Sequence, residues 1–159
     1  MKKLALLLLT VCIMNHAFAK VQTPETLLPP SVDSAVYTNP YTGESSYIRK
    51  GTIGATILNI HELNILLQNT PSKENDRLVR EIMDQNNKLL ASLKVLGLFN
   101  VFTIEEWISQ SDEQPGRCLL GLLYLQHYPN EITLQSKAII KDIQKSNNHY
   151  LKAAALSFK

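Results

Sequence analysis

The chain has 159 residues, of which 45% are hydrophobic and 19% charged, with two cysteines and a formal net charge of +2. That balance excludes a disordered, collagen-like or disulfide-dense scaffold. Met1-Lys2-Lys3 forms a charged n-region, residues 4–13 an apolar h-region, and Ala17-Phe18-Ala19 a small-x-small cleavage site, so residues 1–19 are predicted to be a secretory signal peptide, with the mature chain starting at Lys20. Of the 16 basic residues, Lys2 and Lys3 leave with the signal, and the remaining 14 face 14 acidic ones. An exported neutral chain carries no electrostatic footprint for nucleic acid, which is excluded as a partner. No later apolar run reaches the ~18 to 20 residues of a spanning helix, so no transmembrane helix is expected in the mature chain. Cys12 offers an alternative reading as a lipid-anchored envelope component, although Val11 stands where a lipoprotein signal normally has a small residue.

Residues 20–34 are rich in Thr, Pro, Glu and Ser, with Pro24, Pro29 and Pro30, and read as an extended N-terminal arm. A short β-hairpin is predicted over 35–50, where Val36-Tyr37 and Tyr47-Ile48 flank the turn sequence Asn39-Pro40-Tyr41-Thr42-Gly43. Two strands alone are marginal in water, so the hairpin must rest on the helices that follow. Residues 52–69 are apolar on more than one face, the pattern of a central, buried helix. Thr70-Pro71 then reads as the cap and first-turn proline of a helix over 72–96, whose Leu78, Val79, Ile82, Met83, Leu89, Leu90, Leu93 and Leu96 fall within ~140° of arc, with Gly97 as its stop.

Thr103-x-x-Glu106 has capping-box spacing and opens a short helix from Ile104, in which Trp107 is expected to pin the element to the core. Pro115-Gly116 breaks the chain. The run over 117–128 is apolar all round and reads as a buried helix, with a buried strand as the alternative; Gly121 would permit a close helix approach. Residues 132–158 read as one regular helix. The predicted architecture is mostly α: a single small helical domain of four or five helices over 35–159, comprising the hairpin 35–50 and helices within 51–159, preceded by the arm.

Chemistry-bearing motifs are sparse. His61-Glu62 begins like the zinc-protease sequence H-E-x-x-H, but Ile65 stands where the second histidine must be. His127 and His149 are isolated, and no ligand spacing joins them to Cys118 in a zinc site. Cys118 with His127 and an asparagine is the one conceivable nucleophilic set, yet Cys118 abuts Leu119-Leu120 in the most apolar stretch of the chain, where a thiol is inert. Lys50-Gly51-Thr52-Ile53-Gly54 lacks phosphate-loop spacing and reads as a glycine-assisted turn. Asn64 and Asn86 fall within apolar arcs and each requires a buried partner, with bonds to backbone preferred. Their distances from the turn near residue 71, ~10 Å and ~23 Å, keep them from meeting each other. No catalytic, cofactor-binding or metal-binding residue is assigned, and no cofactor is called for.

Charge patterning stands out instead. Residues 104–133 carry Glu105, Glu106, Asp112, Glu113 and Glu131 against Arg117, whereas 134–159 carry five lysines against Asp142. On one continuous helix, Lys137, Lys141, Lys145, Lys152 and Lys159 fall within about 80° of arc, opposite an apolar face of Ile132, Ile139, Ile140, Ile143, Tyr150, Leu151, Ala154 and Phe158. Lys137, Lys141, Lys145 and Lys152 are therefore the predicted partner-binding residues. The expected function is that of an exported, non-enzymatic interaction protein of the bacterial cell envelope or medium. Its partner is another protein, an anionic envelope surface, or the acidic 104–113 segment of a second copy in a homo-oligomer. The alternative is a small exported enzyme whose site assembles in three dimensions around Cys118 and His127.

Overall fold

The computed structural model describes residues 20–29, 32, 34–38, 43 and 45–158. The predicted signal peptide, Cys12 and most of the hairpin turn lie outside the described residues. The fold is mostly helical, with a small two-stranded antiparallel sheet.

The arm is not extended throughout. It folds into a one-turn helix, α1 (Pro24–Leu27), because Thr23 and Thr26 form a reciprocal capping box and Pro24 occupies the first turn, where its missing N–H costs nothing. Strands β1 (Ser34–Thr38) and β2 (Ser45–Arg49) form the predicted hairpin, with Ala35 opposite Ile48 and Val36 opposite Tyr47. Ala35 and Ile48 are half-buried, while Val36 and Tyr47 stand exposed on the other face. Arg49 pairs with Glu25 and so ties the hairpin to the arm.

The next helix, α2 (Gly51–Gln68), is not the central, fully buried helix its pattern predicts. Its inward face is Thr52, Ala55, Thr56, Asn59, Leu63, Leu66 and Leu67, while Ile57 is 56% exposed and Leu58 and Ile65 are also exposed. The reason is the arm, which packs along the small and polar stripe: a Cβ on Gly54 would lie 3.0 Å from Leu27 Cδ1, and Gln22 bonds to Asn59. Helix α3 (Lys73–Val95) buries the predicted Leu78, Val79, Ile82, Leu89, Leu90 and Leu93. Its cap is Ser72, whose hydroxyl accepts from the Asn75 N–H at 3.1 Å, rather than Thr70. Gly97 ends the segment with φ 71°, a left-handed conformation natural to glycine, and leads into the single turn α4 (Leu98–Val101).

Helix α5 (Ile104–Ile108) carries both bonds of the Thr103/Glu106 capping box. Trp107 is buried beneath it, 5.0 Å from the Phe99 ring centroid. The apolar run then forms a helix, α6 (Pro115–His127), with Pro115 opening the helix instead of interrupting it. This is the central element, packed against α2, α3, α5 and the C-terminal helix. Two glycines permit the approach. A Cβ on Gly116 would sit 2.6 Å from Leu63 Cβ and 2.7 Å from the Ile60 carbonyl oxygen, and one on Gly121 would sit 2.8 Å from Ile108 Cγ2.

The predicted single C-terminal helix is two helices, α7 (Leu134–Ile143) and α8 (His149–Leu156). Asn148 makes the break: its Oδ1 accepts from the Tyr150 and Leu151 N–H groups, and its Nδ2 donates to the Leu67 carbonyl at 3.0 Å. A straight helix would carry residues 149–158 away from the core, whereas the turn brings Leu151 and Ala155 into full burial. The lysine stripe calculated for a continuous helix therefore holds only within α7.

Candidate functional site: a basic groove at the C-terminal helix pair

The break folds α8 back along α7, and two glutamine amides hold the pair. Gln144 Nε2 donates to the Ala155 carbonyl at 3.1 Å. From the end of α6, Gln126 Nε2 donates to the Ala154 carbonyl at 3.2 Å and to Ser157 Oγ at 2.7 Å. Between these elements lies a groove of about 770 Å³, with apolar walls from Leu125, Pro129, Ile132, Ile140 and Phe158. Leu125 and Ile140 are buried and form its floor.

Lys137 and Lys141 line the same groove, one helical turn apart on α7. Both are exposed, and neither has an ion-pair partner among the described residues. Four other cations are matched, Arg49 with Glu25, Arg77 with Glu74 and Glu81, Lys94 with Glu131, and Lys145 with Asp142, while Lys20, Lys50, Lys73, Arg80, Lys88, Arg117 and Lys152 have no ion pair among the described residues. Leu134 is 86% exposed and falls on the same stripe of α7, about 60° from Lys137 and about 20° from Lys141.

The other two predicted lysines go elsewhere. Lys145 lies beyond α7 and lines a separate cleft of about 630 Å³ that also holds Asp112 and Asp142. There its ammonium bonds to Asp142 at 2.8 Å, which holds that carboxyl below its ordinary range. Lys152 is exposed on α8 and lines neither opening. Lys159 lies outside the described residues.

Part of the acidic segment is used internally. Glu105 accepts from the Thr133 hydroxyl, and Glu106 caps α5. Glu131 accepts from Lys94 and Tyr124; burial raises its pKa, but these bonds outweigh that and hold it below its ordinary value. Asp112 and Glu113 remain exposed.

Cys118 is fully buried, and its thiol donates to the Ile108 carbonyl at 3.3 Å. Burial, reinforced by the Asp112 charge, pushes the thiol up to about 12. His127 lies nine residues further along α6, about 13 Å up the helix axis, and is exposed. The structure does not bring them together. His61 and His149 are exposed on α2 and α8, and no histidine lines either opening. Among the described residues no group of three or more His, Cys, Asp or Glu side chains is placed to hold a metal ion, and no helix is long and apolar enough to cross a membrane.

Asn64 and Asn86 find separate partners. Asn64 accepts the Gly116 N–H at 2.8 Å, a bond to backbone that fixes the start of α6 on α2. Asn86 instead meets a side chain, accepting from Asn59 at 3.2 Å. Asn59 itself escaped the sequence reading. Its signal was the small and polar stripe Thr52, Ala55, Thr56 and Asn59 at helical spacing.

No protein-family model, curated protein or solved structure matches the chain.

Proposed function

We propose that the chain is an exported, non-enzymatic interaction protein that engages an anionic partner through Lys137 and Lys141. The observation that carries this reading is the pair itself: two exposed ammonium groups one turn apart, at an apolar groove, without acidic neighbours bonded to them. Unmatched positive charge beside apolar surface favours partners that bring both negative charge and apolar area. Export rests on the tripartite pattern of residues 1–19. In organisation, we read residues 35–159 as one helical domain with 20–34 as its arm; one core cluster joins the helices from Ala55 to Ala155, and Val21 and Leu27 of the arm pack against it. The partner class is an anionic envelope surface or an acidic protein face.

Cosedimentation of the mature protein with phosphatidylglycerol and with phosphatidylcholine vesicles tests the proposal. Binding is expected only to the anionic vesicles and should weaken with salt, since exposed charge attraction is screened within ~10 Å at 0.1 M. Lys137→Glu with Lys141→Glu should abolish it at unchanged melting temperature. Equal binding by the double variant would refute the role of the lysines.

A further inference from the structure

We infer that the groove takes the hydrocarbon chain of a single-chain anionic amphiphile, a free long-chain fatty acid, with its carboxylate held between Lys137 and Lys141. This rests on the preceding reading that the two lysines meet an anion, and goes on to say what the anion is attached to.

Three observations select a fatty acid. The groove, at about 770 Å³, lies within the ~300–1,000 Å³ of ordinary small-ligand sites. Its chemistry is also divided: Lys137 and Lys141 supply charge on the α7 side, while Leu125, Ile132, Ile140 and Phe158 supply apolar wall. Finally, three of the four side-chain amide N–H bonds that border it are engaged within the fold. Gln144 donates to Ala155, and Gln126 donates to Ala154 and Ser157. A bound peptide would bring several backbone carbonyls to the one Gln144 N–H left over, with a cost for each further carbonyl buried unpaired. A hydrocarbon chain needs no such partner.

Leu134 adds a route of entry. It stands almost fully exposed on the stripe that carries Lys137 and Lys141. An exposed leucine on the same stripe as two lysines suits a helix that rests at a lipid–water interface, with the apolar side chain among acyl chains and ammonium groups among headgroups. In that orientation α7 presents the groove to the lipid layer from which a fatty acid leaves.

The test is calorimetric titration of the mature protein with laurate and with dodecanol, both below the concentration at which they aggregate. Laurate should bind saturably, one per chain, and at least tenfold more tightly than dodecanol. Lengthening the acid should tighten binding by about fourfold per added methylene until the groove is filled. Lys137→Glu with Lys141→Glu should erase the difference between laurate and dodecanol. Phe158→Ala, which removes apolar wall without adding charge, should weaken both ligands alike, at least tenfold, and leave the preference for laurate over dodecanol in place. Absence of saturable laurate binding, with lysine-dependent vesicle binding retained, would overturn this inference alone. If the double charge reversal alters neither laurate nor vesicle binding, both this inference and the proposed function fall.

Discussion

Asn59 and Asn86, neither with any exposed surface, join α2 to α3 through a hydrogen bond of 3.2 Å from Asn59 Nδ2 to Asn86 Oδ1. The Asn59 amide also accepts the Gln22 N–H at 2.8 Å and donates to the Gln22 carbonyl at 2.9 Å, pairing with the arm as a neighbouring strand would. Asn86 Nδ2 is buried without a hydrogen-bond partner among the described residues. The two asparagines are therefore unequal, and their variants should differ. Asn59→Ala removes all three bonds and strands the Gln22 backbone and Asn86 Oδ1, at a cost of about 2–4 kcal/mol in urea unfolding. Exchange of the Gln22 amide with solvent should accelerate in step. Asn86→Leu removes an unpaired donor but also the acceptor of one Asn59 N–H, and with a single bond lost it should cost about 1–2 kcal/mol, less than Asn59→Ala. A larger loss from Asn86→Leu than from Asn59→Ala would contradict this assignment.

Gly116 marks a close crossing of α6 on α2. A methyl group there would stand 2.7 Å from the Ile60 carbonyl oxygen and 2.8 Å from the Asn64 amide nitrogen, and neither backbone atom can swing aside as a side chain would. Gly116→Ala should lower stability by roughly 2–3 kcal/mol, at the upper end of overpacking penalties, despite the better helix propensity of alanine. A stability gain in thermal unfolding would show that α2 and α6 approach less closely.

The fold should weaken in alkali. Burial pushes Cys118 from 9.0 up to about 12, and burial together with the Asp76 hydrogen bond pushes Tyr150 from 10.0 up to about 12. Tyr124 is raised by burial and by its bond to Glu131. Each group keeps its proton more firmly in the folded chain than in the unfolded one, so its contribution is intact below about pH 9 and is lost as the pH rises toward 12. Melting temperature should fall over that window, and less steeply in Cys118→Ala. At pH 8 the native thiol should react with a disulfide reagent far more slowly than the urea-unfolded chain. Equal rates would show Cys118 to be accessible.

Asn148 both caps α8 and anchors it to α2 through the Leu67 carbonyl. Asn148→Ala should therefore cost more than an ordinary cap, about 2 kcal/mol. Because the turn it closes sets α8 against α7, laurate affinity should drop as well. A change in stability with laurate binding untouched would separate the cap from the groove.

Which features the sequence disclosed follows from the range over which each is decided. The Thr103/Glu106 capping box, the left-handed Gly97 and the leucine face of α3 are settled within one or two turns of chain, and all three stand where their residue patterns put them. The hairpin likewise needed only its alternating pairs and turn residues. Tertiary packing decided the rest. Thr52, Thr56 and Asn59 are buried while Ile57 is exposed because residues 22–27 lie opposite them, and no periodicity within α2 announces a covering segment some thirty residues upstream. The C-terminal lysines were legible as a basic stripe, but the stripe assumed one straight helix. Asn148 turns the chain, and only then do Lys137 and Lys141 share a groove with Leu125 and Phe158, while Lys145 finds Asp142. Local sequence sets which backbone each segment prefers; which faces meet depends on burying the most apolar surface across the whole chain, a comparison that no single segment contains.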